Sequence, residues 1–429
     1  MAEAVIIRGV RTPFVRAGEE FRDTPAPELG RLAVQELLYR CDIPPSEVDE
    51  LIAGNVASPV DSANVARVIS LRAGIPQDRI AHTVNRNCAS GLESITEAAA
   101  RIECGAARCI VALGVDSMSN VPLLFRKRFV DKLLALSKAK SAGQKLARML
   151  KFRPGDFAPL IGIQLGLTDP VTGLLMGETA EKLAREYGIS REAQDTFALH
   201  SHQKACAAVQ TGKLQGETMA LYPGPGTLCV SSDIGPRENQ SLDRLRKLRP
   251  YFDRRWGSVT VGNSCGITDG AVALLLMDAE YAAAQGLQPI GRIRAKEYAG
   301  CDPSRMGLGP VYATARALHR AGLTMDDMDL IELNEAFAAQ VLACQRAFEN
   351  PPEDCGDVDA MRRLGPIDET RLNVNGGAIA IGHPVGATGG RLILTLLEEL
   401  KRRDRQFGLA TLCIGGGQGG AVIVERMAA

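Results

Sequence analysis

Along the chain, short apolar runs alternate with stretches whose apolar positions recur at helical spacing. Residues 4–9, opening on Ala4-Val5-Ile6-Ile7, read as a strand that Arg11-Thr12-Pro13-Phe14 ends. Leu29, Leu32, Ala33, Leu37 and Leu38 then line one face of a helix over residues 28–39. A proline-rich turn at 43–47 leads to a strand at 50–56, a helix at 64–73 and a short strand at 83–85. Residues 92–104 are again helical, and the apolar run 109–113 is a buried strand closed by Gly114. Strands alternating with helices predict a mainly parallel sheet covered on both faces.

The second half repeats this plan. A helix at 312–322, a turn at 323–329 and a strand at 330–333 follow one another, and a shift of 280 positions lays Ile43, Val48, Asp49 and Leu51 on Leu323, Met328, Asp329 and Ile331. A glycine-rich turn, a helix at 389–402 and a buried strand at 409–414 complete the parallel. The pattern predicts an α/β protein of two related halves, residues 1–280 and 281–429. The first half carries a differently composed insertion over about 120–250, with helices at 178–187 and 191–209 and a glycine-rich loop after Thr211. Residues 351–371 read as a charged surface loop.

Composition narrows the function classes. A chain of 429 residues with 45% apolar content builds a large core, and with only 4% aromatics that core is packed by Ala, Val, Leu and Ile. Fifty basic and fifty acidic side chains cancel, so no global field draws the protein to nucleic acid. Locally the balance breaks: residues 125–153 hold ten Lys or Arg and one acid, Asp131, interleaved with Leu133, Leu134, Leu136, Leu146, Met149 and Leu150 at helix-like spacing. Three readings stay open there: solvated amphipathic helices, a docking face for a partner subunit, or contact with an anionic membrane surface. Eleven cysteines, an odd number without C-x-x-C pairs, fit reduced thiols and a cytoplasmic location. Five histidines without H-x-x-x-H spacing give a zinc site little support. No charged and apolar leader precedes Ala4, and no apolar stretch approaches ~20 residues, so neither a secretory signal nor a transmembrane helix is expected.

Three glycine-rich stretches carry candidate chemistry. Cys88, in Asn85-Arg86-Asn87-Cys88-Ala89-Ser90-Gly91, sits just before a predicted helix, where unpaired N–H groups and the helix dipole favour a thiolate. Taken alone, a buried structural thiol is the commoner fate. His383, between Gly382 and Pro384 on a loop before a helix, is a candidate base. Residues 415–420 formally satisfy G-x-G-x-x-G, but a strand follows at 421–425 where a dinucleotide site needs a helix. The glycines after Cys413, including Gly415, instead let backbone N–H groups approach an oxyanion. Asn334 opens a predicted helix, where a capping role alone would account for it.

Together these motifs resemble those of the thiolases. The resemblance rests on Asn87-Cys88-Ala89-Ser90-Gly91, Gly262-Asn263 through Asp269-Gly270-Ala271, Asn334-Glu335-Ala336-Phe337, Gly382-His383-Pro384 with Gly386-Ala387-Thr388-Gly389, and Cys413-Ile414-Gly415-Gly416-Gly417-Gln418-Gly419. It implies a five-layered α-β-α-β-α thiolase fold with a helical loop-domain insertion. It also implies cleavage or formation of 3-oxoacyl-CoA thioesters, with CoA as substrate and no metal or redox cofactor. In that scheme Cys88 attacks the thioester and carries the acyl group, and His383 takes its proton. Cys413 is the second acid/base, Asn334 holds a water in one oxyanion hole, and the N–H groups of Cys88 and Gly415 form another. Cys265 stands where the family often has a serine near the CoA pantetheine. The insertion resembles the thiolase subunit of fatty-acid-oxidation complexes, which implies a hydratase/dehydrogenase partner; the family implies a homodimer or homotetramer. Two alternatives share the fold: a 3-oxoacyl-carrier synthase, which typically uses one cysteine and two histidines, and a non-catalytic lipid-binding or scaffold subunit.

Overall fold

The computed structural model describes residues 2–224, 226–352 and 357–427. Its contacts divide the chain into a large unit, residues 1–120 with 169–429, and a small one, residues 121–168. Residues 169–250, grouped above with the insertion, pack within the large unit.

In the large unit the principal strands are β1 (Ala4–Arg11), β2 (Glu50–Gly54), β3 (Ile80–Val84), β4 (Cys109–Asp116), β5 (Thr268–Asp278), β6 (Gly291–Gly300), β7 (Leu330–Leu333), β8 (Phe407–Ile414) and β9 (Gln418–Arg426), and the short strand Val15–Arg16 pairs with the start of β5. The principal helices are α1 (Ala26–Cys41), α2 (Val65–Arg72), α3 (Ser90–Glu103), α4 (Met176–Glu186), α5 (Arg191–Gln210), α6 (Gly309–Ala321), α7 (Ala338–Glu349) and α8 (Thr388–Arg403). Strand order is β7-β8-β9-β6-β1-β5-β4-β2-β3, and within the sheet the halves join where Val5 and Ile6 of β1 pair with Arg292 and Gly291 of β6. Within the first half, β2 runs parallel to β3 and β4, while β5 is antiparallel to β4 and β1. The second half has the same plan: β7 is parallel to β8 and to a bridge at Leu372, while β9 is antiparallel to β8 and β6.

The sheet is therefore mixed, not mainly parallel as the alternation suggested. The cause at β8–β9 is a tight turn whose Gly416 and Gly417 take φ of 87° and 78°, which reverses the chain without a crossover helix. Strand alternation sorts side chains into layers. Val5, Val111, Leu113, Ala273 and Leu275 face α1 and α2, while Ile6, Ile110, Ala112, Leu274 and Leu276 face a central layer with Leu92 and Ile95 of α3 and Leu392 and Leu396 of α8. From the other half, Leu412 and Val422 face that central layer, and Leu409 and Ile423 face α6 and α7. Five layers result, with α3 and α8 sandwiched at the middle.

The small unit pairs two strands, Leu123–Phe125 and Pro159–Ile161, antiparallel. Its helices, Lys127–Ser137 and Ala142–Met149, close around a cluster of Phe125, Phe129, Phe152 and Phe157. Asp156 ties the unit together by accepting from Lys132 Nζ at 2.5 Å and Arg153 N at 2.7 Å. Leu133, Leu134, Leu146, Met149 and Leu150 remain exposed between the lysines. Of the excursion at 351–371, residues 353–356 lie outside the described residues, and Val358–Met361 is a short helix. Among the described residues, no helix is long and apolar enough to cross a membrane.

Candidate active site

Cys88 is presented by a tight turn between β3 and α3. Asn87 takes a left-handed φ of 46°, a conformation asparagine tolerates better than most residues. Asn85 Oδ1 accepts from Asn87 N at 2.9 Å, and Ser90 Oγ accepts from Arg86 N and donates to the Asn87 carbonyl at 2.7 Å. Asn87 Nδ2 donates to the Gly415 carbonyl at 2.9 Å, which joins this turn to the turn after β8. Cys88 thus lies just ahead of the α3 N-terminus, as expected, but the environment does not favour a thiolate. Burial pushes the thiol up to about 11, the charge of Asp116 adds to the rise, and N–H groups of Gly415 and of Cys88 itself only partly offset it.

His383 is 6% exposed, in the loop that enters α8. Its Nδ1 is 2.5 Å from Thr388 Oγ1, whose single proton is donated to the Pro384 carbonyl at 2.9 Å. The ring therefore carries its proton on Nδ1 and leaves a lone pair on Nε2, which faces Asn334 Nδ2 at 3.5 Å. Burial, with Arg391 second, pushes the imidazole down to about 4, so at neutral pH it is uncharged. The resting pair is a thiol and a neutral imidazole.

Close glycine contacts let the two loops meet. A Cβ on Gly91 would stand 2.5 Å from the Gly386 carbonyl, and one on Gly389 would stand 2.4 Å from Leu92 N. These contacts set the N-terminal turns of α3 and α8 side by side. A parallel bridge from Ile267 to His383 adds the segment that carries Cys265. Cys265 N donates to the Ala336 carbonyl at 3.0 Å; its thiol is pushed up to about 12, by burial first and then by Cys88.

Asn334 is not a helix cap: α7 begins at Ala338, with Phe337 before it. Asn334 follows β7, fully buried, with Nδ2 3.5 Å from His383 Nε2 and Oδ1 without a hydrogen-bond partner among the described residues. Its neighbour Glu335 accepts from Ser201 Oγ at 2.6 Å, Asn373 Nδ2 at 2.9 Å and Ile379 N at 3.2 Å, which secures the chain leading to His383. Cys413, 1% exposed near the end of β8, is pushed well above the usual thiol range by burial, with Cys88, Cys344 and Cys265 adding to the shift. All six candidates from the sequence thus lie on adjoining segments.

Other residues at this site escaped the sequence reading. Met176, the first residue of α4, has its sulfur 3.5 Å from where a Gly415 Cβ would stand. A small cavity beside His383 is lined by Gly382, Ser264 and Gly266, together with His202 and two cations, Arg16 and Arg237. His202 Nδ1 accepts from Arg237 N at 3.3 Å. In sequence these two arginines stand 221 positions apart, and nothing local marks them as a pair.

Two family profiles cover the large unit and the insertion together: "Thiolase, N-terminal domain" over residues 4–280 and "Thiolase, C-terminal domain" over residues 287–426. Among curated proteins, a 3-ketoacyl-CoA thiolase of Klebsiella pneumoniae is 40% identical over 421 residues, covering 98% of this chain and 96% of that protein. One from Yersinia enterocolitica is 39% identical with the same coverage. Among solved structures, the acetyl-CoA acetyltransferase of Bacillus anthracis superposes with a TM-score of 0.88 at 34% identity, covering 100% of this chain and 99% of that one. The human mitochondrial 3-ketoacyl-CoA thiolase in complex with CoA superposes with a TM-score of 0.86 at 35% identity, covering 100% and 98%.

Proposed function

Because this chain belongs to the thiolase family, we propose that it cleaves 3-oxoacyl-CoA with CoA to acetyl-CoA and a shortened acyl-CoA, and catalyses the reverse Claisen condensation, through an acyl-enzyme on Cys88. What supports this most is the packing of the three loops: Asn87 beside Cys88 donates to the Gly415 carbonyl, two residues past Cys413, and Gly91 packs on the Gly386 carbonyl in the loop that carries His383. His383 Nε2 takes the Cys88 proton as the sulfur attacks the 3-oxo carbon. The 3-oxo oxygen faces the N–H groups of Cys88 and Gly415 as it takes up charge, while the protonated ring and a water on Asn334, whose unpartnered Oδ1 suits that role, hold the thioester oxygen of the departing acetyl-CoA. The C2–C3 bond breaks, its electron pair passes to the α-carbon of acetyl-CoA, and Cys413 supplies the proton. The CoA thiol then attacks the acyl group, whose oxygen faces the N–H groups of Cys88 and Gly415. Its proton passes to Cys413 while Cys88 regains its own from His383.

CoA is a substrate in this scheme, and Arg16 and Arg237 in the cavity beside His383 suit its phosphates; Ser264 and Gly266, on either side of Cys265 in the chain, line that cavity. Incubation with acetoacetyl-CoA and CoA should yield acetyl-CoA and a transient acetyl adduct on Cys88, seen by mass spectrometry. No product and no adduct would leave the scaffold reading, and dependence on a carrier protein would leave the synthase reading. A rate profile across 3-oxoacyl chain lengths sets the acyl preference.

A cytoplasmic homodimer or homotetramer is the assembly we propose. Strand β3 supports it: it ends the sheet with an unpaired edge on which Ile80 is 56% exposed. A monomeric mass in solution would remove that reading. For the basic stretch at 125–153 the proposal is contact with an anionic membrane surface or a hydratase/dehydrogenase subunit, supported by apolar side chains left exposed between cations. Arg128 is a poor probe because it pairs with Asp156 at 3.0 Å inside the unit. Reversing Lys138, Lys140 and Lys145 to glutamate should instead weaken vesicle binding or co-purification by at least roughly tenfold. If neither changes, these are solvated surface helices.

A further inference from the structure

Cys88 and His383 come from different halves, so their alignment depends on how the two loops are held together. One buried carboxylate between the loops has no part in the steps above. Asp116 ends β4 and is 0% exposed. Its Oδ1 accepts three donors from the segment after β2: Asn55 Nδ2 at 2.8 Å, Val56 N at 3.0 Å and Ala57 N at 2.9 Å. Its Oδ2 accepts one donor from the other half, Gly386 N at 2.5 Å, in the turn that follows His383. That turn is enclosed: a Cβ on Gly386 would stand 2.9 Å from Asp116 Oδ2, and one on Gly114 would stand 2.4 Å from the Gly386 carbonyl. Two residues further on, Thr388 supplies the oxygen that accepts the His383 Nδ1 proton.

We propose that Asp116 is a positioning residue: its carboxylate fixes the turn from Pro384 to Thr388, and through Thr388 the imidazole, against the half that carries Cys88. The inference rests on the roles given above to Cys88 and His383. Only an ionised carboxylate can accept all four donors without presenting a donor of its own. Burying it is costly, and desolvation, with a smaller contribution from Asp269, pushes it up to about 6 despite those hydrogen bonds. An asparagine would keep its oxygen on the three donors of the first half. Its NH2 would then face Gly386 N–H, donor against donor, and the link to the His383 loop would break.

The test uses the full chain as Asp116→Asn and, separately, Gly386→Ala, which displaces the same contact without changing charge. Cys88 acylation by acyl-CoA in single turnover, and kcat, should each fall by about 10²-fold in both variants, the size expected of a misaligned pair. KM for CoA should stay within about threefold, and Tm within about 4 °C. Wild-type acylation should fall as pH drops through about 6, where Asp116 gains a proton and stops accepting from Gly386; the asparagine variant should show no inflection there. The groups that face Asp116 and bear on this titration are Asp269 of β5 and the Cys88 thiol. Wild-type acylation in a folded Asp116→Asn or Gly386→Ala protein would overturn the proposal; should Asp116→Asn not fold, Gly386→Ala decides alone. Absence of any adduct in the wild-type protein would instead overturn the acyl-enzyme reading on which the proposal stands.

Discussion

Replacing Cys88 by serine is expected to lower turnover by at least about 10³-fold while CoA affinity stays within about threefold. The reason lies in the resting electrostatics. Burial holds the thiol up at about 11 and the imidazole down at about 4, so no preformed ion pair drives attack, and His383 must take the proton as the sulfur moves. A serine hydroxyl is a weaker acid in the same enclosed position, and its ester is a poorer acyl donor to CoA than a thioester. The substitution is nearly isosteric and leaves Asn87, Ser90 and Gly415 their contacts, so loss of activity reports on chemistry and not on folding. Two measurements check it: steady-state thiolysis, and the acyl adduct mass on the peptide carrying residue 88. A serine enzyme within tenfold of wild type would remove Cys88 from the nucleophile role. In the wild-type enzyme, alkylation of Cys88 by iodoacetamide should keep rising with pH toward about 11. A plateau near neutral pH would mean a stabilised thiolate and would overturn the neutral-pair description.

How much of this was readable beforehand varies with the range of the interaction. The repeat at a shift of 280 positions was legible because it rests on local turn chemistry, and the short helices Pro45–Glu47 and Met325–Asp327 recur at that spacing. The three candidate residues stood out because each lies in or beside a glycine-rich stretch: Cys88 between β3 and α3, His383 between the short helix Ala378–Ile381 and α8, and Cys413 at the end of β8 before its turn. What failed was what packing decides. Proximity to a helix N-terminus argued for a Cys88 thiolate, and desolvation outweighed it. A cap sufficed for Asn334 until the strand placed its amide toward His383. Strand β5 returns antiparallel after a long excursion from β4, and no residue in its continuous apolar run announces a direction. Asp116 was hidden because β4 reads as an apolar run that stops before it, and its partners Asn55 and Gly386 are remote in sequence.

Replacing Cys413 by alanine should separate the two halves of the reaction. Cys413 is enclosed at the end of β8, with burial and three neighbouring thiols holding its own thiol well above the ordinary range. Such a group stays protonated at working pH, as a proton donor to the acetyl-CoA carbanion must. Acylation of Cys88 by acyl-CoA involves no carbanion: His383 takes the Cys88 proton and, where Cys413 is missing, can return it to the departing CoA sulfur. The alanine variant should therefore form the Cys88 adduct, and exchange labelled CoA into acyl-CoA, within about tenfold of wild type. Carbon–carbon cleavage and condensation should drop by about 10³-fold, the range of a lost general acid or base. Alanine is smaller and compatible with the buried strand, so β8 and its pairing with β9 should persist. Exchange of deuterium into the α-position of acetyl-CoA isolates the step itself and should vanish with the thiol. If the alanine variant exchanges that proton and forms acetoacetyl-CoA at the wild-type rate, the second acid/base is elsewhere. Cys265, the other enclosed thiol influenced by Cys88, is then the residue to replace next.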